Sequence, residues 1–318
     1  MANKSRVILT ENNRNHISRL IKSAQSLTNL EDYSQKPEGV WGSTATIRCN
    51  NAIINSSDLD FEFIIPFDDN LESNEGEIII YNLSDNTLKA FSDAVKGKNK
   101  LTITAGYEGD TGLIFSGAVK KVFSKREGAD IATTIKVSDG FSTSTEIMKE
   151  EGQESYDSVS AKEILLDLLE AERVINGGSF GEVKIGNNYS YENSVSIGDN
   201  LQTEIKKFSE VCGVSTFRVK DTIYCCKLED VANGIGFNVS EEYGMIGSPS
   251  PFEEVTTVGD EEKTIKGFDI ELLLQHRAAV GAIVNLKSEQ YKGKYYIKSG
   301  THRFNESGAT TTVKVVEK

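Results

Sequence analysis

The chain has no apolar run that approaches the ~20 residues a membrane-crossing helix requires. Cysteine is scarce: Cys49, Cys212, Cys225 and Cys226 are the only four, and no C-x-x-C occurs. Neighbours Cys225 and Cys226 would point to opposite faces of a strand, so neither a disulfide nor a zinc site is indicated. Buried, reduced thiols are expected instead. Of the three histidines, His16 falls in a helical pattern, His276 in a loop and His302 in a strand, and none forms H-E-x-x-H. His302 is expected to be a packed or hydrogen-bonded strand residue. The G-x-S-x-G of a nucleophile elbow is also missing. Positive charge is in deficit, 35 basic against 48 acidic residues for a net −13, and no Lys/Arg cluster offers a hold on phosphate. Residues Met1 to Leu9 carry no apolar stretch of signal-peptide length, so folding in a cytoplasm is expected.

Two near-motifs deserve weighing against that poverty. Gly177-Gly-Ser-Phe-Gly181-Glu-Val183 imitates part of a nucleotide-binding glycine loop, but Asn176 replaces its first glycine. No H-R-D or D-F-G follows, and Asp139-Gly-Phe is a scramble of the latter. A helix end running into a turn explains these glycines more simply. Asp58, Asp60 and Glu62 alternate like calcium ligands, yet Phe63 stands where such a loop needs glycine. A solvated strand face accounts for them. No catalytic, cofactor-binding or metal-binding residue is therefore assigned, and no enzyme is expected.

What the chain does have is β pattern in quantity. At 318 residues it suggests more than one domain, and a chain of this length buries about 75% of its unfolded surface without covalent staples. Residues 1–43 read as an arm, with a helix capped at Thr10 whose Ile17, Leu20, Ile21, Ala24 and Leu27 share a face. From 44 to 145 come short strands, beginning with the alternation of Leu59, Phe61, Phe63, Ile65 and Phe67. Ser84 is the N-cap of a helix with Leu88, Phe91 and Val95 inward, ending near Gly97. Residues 146–234 form a small α+β domain. There, Ser160 and Glu163 have capping-box spacing ahead of Ile164, Leu165, Leu168 and Leu169. A second helix from about Asp199 sets Leu201, Ile205, Phe208 and Cys212 on one face, and a hairpin turns at Lys220-Asp221. From 235 to 318 the pattern is β again. The expected fold class is mainly β with an α+β insert and two related β-barrels flanking it.

The relation rests on an internal echo between residues 113–137 and 296–315. Ser116-Gly117 matches Ser299-Gly300, Gly128-Ala129 matches Gly308-Ala309, and Thr134-Ile-Lys-Val matches Thr312-Val-Lys-Val. Upstream, Leu101–Tyr107 stands where Ala282–Leu286 would correspond. Duplication of this kind often reflects symmetry in an assembly.

Glu77-Ile-Ile-Ile-Tyr-Asn-Leu-Ser, Leu101-Thr-Ile-Thr-Ala-Gly-Tyr-Glu-Gly and Ile114-Phe-Ser-Gly resemble the first barrel of baseplate (tail) hub proteins. These serve contractile-tailed phages and phage-tail-like bacteriocins. Gly293-Lys-Tyr-Tyr-Ile-Lys-Ser-Gly-Thr-His302, with Gly308-Ala309 and a Thr-rich strand, resembles the closing barrel of the same family. The resemblance spans most of residues 44–318. It implies a homotrimer forming a pseudo-hexameric ring that joins the tail tube protein to the central spike protein. Tape measure and baseplate wedge proteins are implied as neighbours, and DNA only in transit through the lumen, which an acidic wall would let slide. The implied location is the virion tail baseplate, assembled in the host bacterial cytoplasm. The alternatives are the hub of a bacteriocin or secretion-type injection device, and a nucleotide-binding enzyme using Gly177–Val183.

Overall fold

The computed structural model describes residues 6–8, 32–33, 42–71, 73–97, 99–139, 146–148, 159–192, 195–198, 200–231, 236–258 and 261–317. The helix expected between Thr10 and Leu27 lies outside the described residues, as does His16. Among the described residues the chain is mostly strand, with three α-helices. It forms two compact units, one of residues 1–29, 69–73 and 140–233 and the other of residues 30–68, 74–139 and 234–318.

The strands open with β1 (Arg6–Ile8) and β2 (Asp32–Tyr33). Next come β3 (Ser43–Cys49), β4 (Ala52–Asn55), β5 (Phe61–Phe67) and β6 (Glu75–Tyr81). In β5, Phe61, Phe63 and Ile65 are buried while Glu62 and Ile64 face outward, the expected period of two. Helix α1 (Asp85–Gly97) follows Ser84, whose hydroxyl accepts the Thr87 amide at 3.3 Å. Its inward stripe is Ala90, Phe91 and Ala94, whereas Val95 is exposed. The helix is thus rotated from the face expected, toward its small alanines. Then come β7 (Lys100–Tyr107), β8 (Asp110–Glu127), β9 (Asp130–Ser138) and β10 (Glu146–Met148).

The smaller unit holds α2 (Ala161–Asn176), β11 (Ser179–Val183), α3 (Leu201–Val211), β12 (Ser215–Val219) and β13 (Thr222–Cys226). Ser160 and Glu163 close the capping box before α2, and Asn200, one residue past the expected Asp199, caps α3. Leu165, Leu168, Ile205, Phe208 and Ile223 share its core. In its sheets β13 lies between β11 and β12, and β1 runs parallel to β10.

The chain ends with β14 (Gly236–Val239), β15 (Met245–Val258), β16 (Glu261–Leu273), β17 (Ile283–Lys287), β18 (Lys292–Asn305) and β19 (Gly308–Glu317). These join the earlier strands in one 14-stranded sheet with the path β15-β16-β19-β18-β5-β6-β9-β8-β7-β3-β4, while β17 pairs with β18, and β14 pairs with β17 and β2.

That path contains the same order twice. The first half runs β5-β6-β9-β8-β7 and the second β15-β16-β19-β18-β17. The fourth strand of each half, β8 and β18, bulges at the same place. Opposite Lys136 and Val137, β8 slips one residue between Val119 and Lys121; opposite Lys314 and Val315, β18 slips one between Ile297 and Ser299. Counted from these bulges, Thr134–Val137 and Thr312–Val315 coincide as the echo required. The other two anchors do not. Ser299 holds the place of Lys121, not Ser116, and Gly308 holds the place of Asp130, not Gly128. Glycine and serine recur in both hairpins for local reasons, and only the paired final strands keep a shared register.

Candidate functional site at the seam of the large sheet

The two sheet halves meet where β5 adds to the distal part of β18. Phe63 to Phe67 run antiparallel to Phe304 to Gly300. β17 pairs with the proximal part of β18, Lys292 to Tyr296, so the far stretch was open for another strand. Pro66 sits opposite Thr301, past Ile64 where pairing with β6 ends, so its missing donor leaves no ladder bond of β6 unmade.

Side chains lock this pairing. Phe304 stacks on Phe61 and Phe63 at centroid distances of 5.5 and 5.4 Å, so a residue of the second half lies in the core of the first. Phe67 packs on the His302 ring at 5.0 Å, and His302 Nδ1 shares a 2.9 Å hydrogen bond with Thr311 Oγ1. A Cβ at Gly300 would come within 2.5 Å of Phe67 and of the Thr312 carbonyl. Only glycine lets the two strands approach this closely.

Polar contacts hold the ends. Tyr107 donates its hydroxyl to the Ala309 carbonyl at 2.7 Å, and the Leu274 amide bonds the same oxygen at 3.0 Å. Burial raises the Tyr107 phenol above its ordinary range. Arg277 donates to both Asp110 carboxylate oxygens, at 2.7 and 2.8 Å, in the two-pronged geometry that suits guanidinium. Those hydrogen bonds hold the Asp110 carboxyl below its usual value against the opposing effect of burial. Gly112 leaves the space that the His276 ring fills. These groups fasten one surface to another, and no nucleophile, base and orienting acid converge here.

The residues singled out in the sequence lie elsewhere or serve packing. His276 is in the turn beside Asp110, and His302 is a buried strand residue, as expected. Gly177 and Gly178 follow the C-terminal end of α2 at φ 69° and 110°, and β11 follows directly. A Cβ at Gly178 would meet the Asp221 carbonyl at 2.3 Å. The Gly177 carbonyl accepts from Arg218, which also pairs with buried Glu172 at 3.1 Å. A phosphate loop needs glycines ahead of a helix N-terminus, and these stand behind a helix. Asp58 accepts from Asn55 and Ser57 at a turn, which lowers its pKa. Among the described residues no group of three or more His, Cys, Asp or Glu comes together to hold a metal. All four cysteines are buried and free, and burial pushes the Cys225 and Cys226 thiols up to about 12. Among the described residues no helix is long and apolar enough to cross a membrane. The Asp110–Arg277 clamp was invisible beforehand, since its partners lie 167 residues apart and match no motif.

No family model and no curated protein matches the chain. Solved structures do share its fold. A tail protein from Neisseria meningitidis superposes with a TM-score of 0.58 at 8% identity, covering 87% of this chain and 97% of that one. The 43 kDa tail protein of prophage MuSo2 from Shewanella oneidensis gives 0.57 at 9%, covering 86% and 98%. The Escherichia coli c3393 protein is a type VI secretion component with structural similarity to the T4 bacteriophage tail proteins gp27 and gp5. It gives 0.56 at 10%, covering 86% and 76%. The structures this chain is similar to are phage tail and injection-system proteins.

Proposed function

We propose that the chain is a non-enzymatic hub protein of a phage-type tail baseplate. In this reading three copies form a ring of six like wall segments. The ring sits between the tail tube protein and the central spike protein, with tape measure and wedge proteins as neighbours and DNA passing only through the lumen. The wall segments are two related tube-like barrels at 44–145 and 235–318, with the α+β domain of 146–234 between them and the 1–43 arm before them. Its place is the virion tail, assembled in the bacterial cytoplasm.

The observation that carries this reading is the seam. One chain already joins two topologically equivalent sheet halves edge to edge, through β5 on β18. A threefold assembly of such pairs presents six equivalent segments, matching a sixfold tube on one side and a threefold spike on the other. The shared fold with tail proteins supports it. Native mass spectrometry and electron microscopy of the assembled ring test it: three copies per ring with six like densities are expected, and a ring of six copies or a permanent monomer would refute it.

The likeness to the secretion component favours a second reading, a hub in a secretion-type or bacteriocin-type device. Purified particles decide between the two: a DNA-filled capsid on the tail marks a phage.

A further inference from the structure

We propose that the outer end of the β15–β16 hairpin is the seat of the spike: an acidic two-stranded ribbon, one per chain, that docks on a basic surface of a threefold protein. The inference rests on the trimer reading above and names the surface on which the threefold partner sits.

The ribbon emerges when the two halves are laid over each other. Their shared register sets Lys136 with Lys314, Val122 with Gly300 and Arg126 with Phe304. Glu77 faces Lys136 and Asp269 faces Lys314, so Ile64, opposite Glu77, is matched by Ser250, opposite Asp269. From that point the halves part. In the first, pairing of β5 with β6 stops at Ile64, and residues 69–73 of the connection belong to the smaller unit, where Leu71 packs against the core. In the second, β15 and β16 go on pairing, from Pro251 opposite Phe268 to Val258 opposite Glu261. β19 accompanies β16 only as far as Gly267. The last six pairs, Glu253 with Lys266 through Val258 with Glu261, therefore have no third strand among the described residues. At ~3.4 Å per residue this ribbon reaches about 20 Å past the sheet.

The root of the ribbon is braced within the chain. Lys314 bonds Glu254, and its ammonium lies 4.5 Å from the centre of the Phe252 ring. Lys298 approaches Glu254 at 3.7 Å, and Lys266 meets Glu253 at 3.1 Å. One step further out, Val255 is 63% exposed. Residues 258–263 read Val-Gly-Asp-Glu-Glu-Lys, three acids to one base. A two-stranded ribbon alone is marginal in water and gains stability from the surface it packs on. An exposed valine beside clustered acids fits a surface with basic side chains around a small apolar seat.

Symmetry selects the partner. Only the second half carries the ribbon, so three chains present three ribbons, on alternate members of six like segments. A sixfold tube meets six equivalent segments. Three ribbons match a threefold protein, which in the proposed particle is the central spike.

Glu261→Lys combined with Glu262→Lys tests this in the full-length trimer, with the spike and tube proteins of the same particle as separate probes. Interferometry should show the affinity for the spike falling about tenfold or more, with binding to the tube unchanged. The affinity of the parent for the spike should also fall as salt rises, a readout that needs no variant. Unchanged spike binding by the variant, or a parent affinity indifferent to salt, overturns the ribbon as the seat and leaves the trimer reading standing. Loss of tube binding with spike binding kept overturns it as well. A chain that stays monomeric at every concentration and binds neither protein overturns the hub reading itself.

Discussion

The two halves of the large sheet agree in their hairpins and differ in what joins them. Between β6 and β7 the first half inserts α1, whereas between β16 and β17 the second has only the turn that carries His276 and Arg277. That turn is where the second half clamps the first through Asp110. The outer strands differ as well. In the first half β3 lies between β4 and β7, antiparallel to both, while in the second β14 lies directly on β17 and parallel to it. β14 thus runs as β4 does, each leading straight into the next hairpin, and β3 is the additional strand. The two halves share the hairpins that form the seam and differ in the parts around them. Those hairpins set the seam's register, and a strand register tolerates no one-residue slip without turning every side chain to the other face.

The comparison can be broken most sharply at Phe304 and its equivalent Arg126. Phe304 fills the core of the first half from the second, so Phe304→Ala should cost about 3–5 kcal/mol. Arg126→Ala, at the exposed equivalent position, should change the single chain by about 0.5 kcal/mol or less. Urea unfolding of both variants checks this. Comparable losses would mean that the seam contributes nothing special. A smaller effect is expected from exchanging residues between halves. Val122 stands where the second half has Gly300, and a valine at 300 would strike Phe67 and the Thr312 carbonyl. Gly300→Val should therefore destabilise by about 1–3 kcal/mol through overpacking. A thermal melt reads the difference, and an unchanged midpoint would show that β5 and β18 are not held as closely as described.

How much of this was legible beforehand depended on distance along the chain. The β5 alternation, the Ser160–Glu163 capping box and the α3 stripe are local signals, and each appears where the spacing put it. α1 turns Ala94 inward and leaves Val95 exposed, although Val95 is the more hydrophobic, because burial selects the smaller side chain. The echo was right only where pairing across a hairpin constrains both strands, at Thr134–Val137 and Thr312–Val315. The seam left no local mark. Pairing of β5 with β18 spans more than two hundred residues, and an open strand edge looks the same in sequence as a covered one.

The smallest effect separates the Asp110–Arg277 clamp from the corresponding turn of the second half. Asp110 is held below its ordinary pKa by hydrogen bonds from Arg277, by the charge of Arg277 and then by His276. A depressed carboxyl stabilises the fold above its unfolded value of about 3.9, and that contribution disappears as pH falls through the lower folded value. The Asp110 side chain is 43% exposed, so screening limits the clamp to about 1 kcal/mol. Asp110→Asn should be less stable than the parent by about that amount at pH 7, with the two curves converging as pH falls through the lowered folded value. Urea unfolding across about pH 2.5 to 7, which spans the unfolded-state value of about 3.9, measures this. An Asp110→Asn curve parallel to the parent throughout would show that the clamp is a surface ion pair of no consequence to the seam.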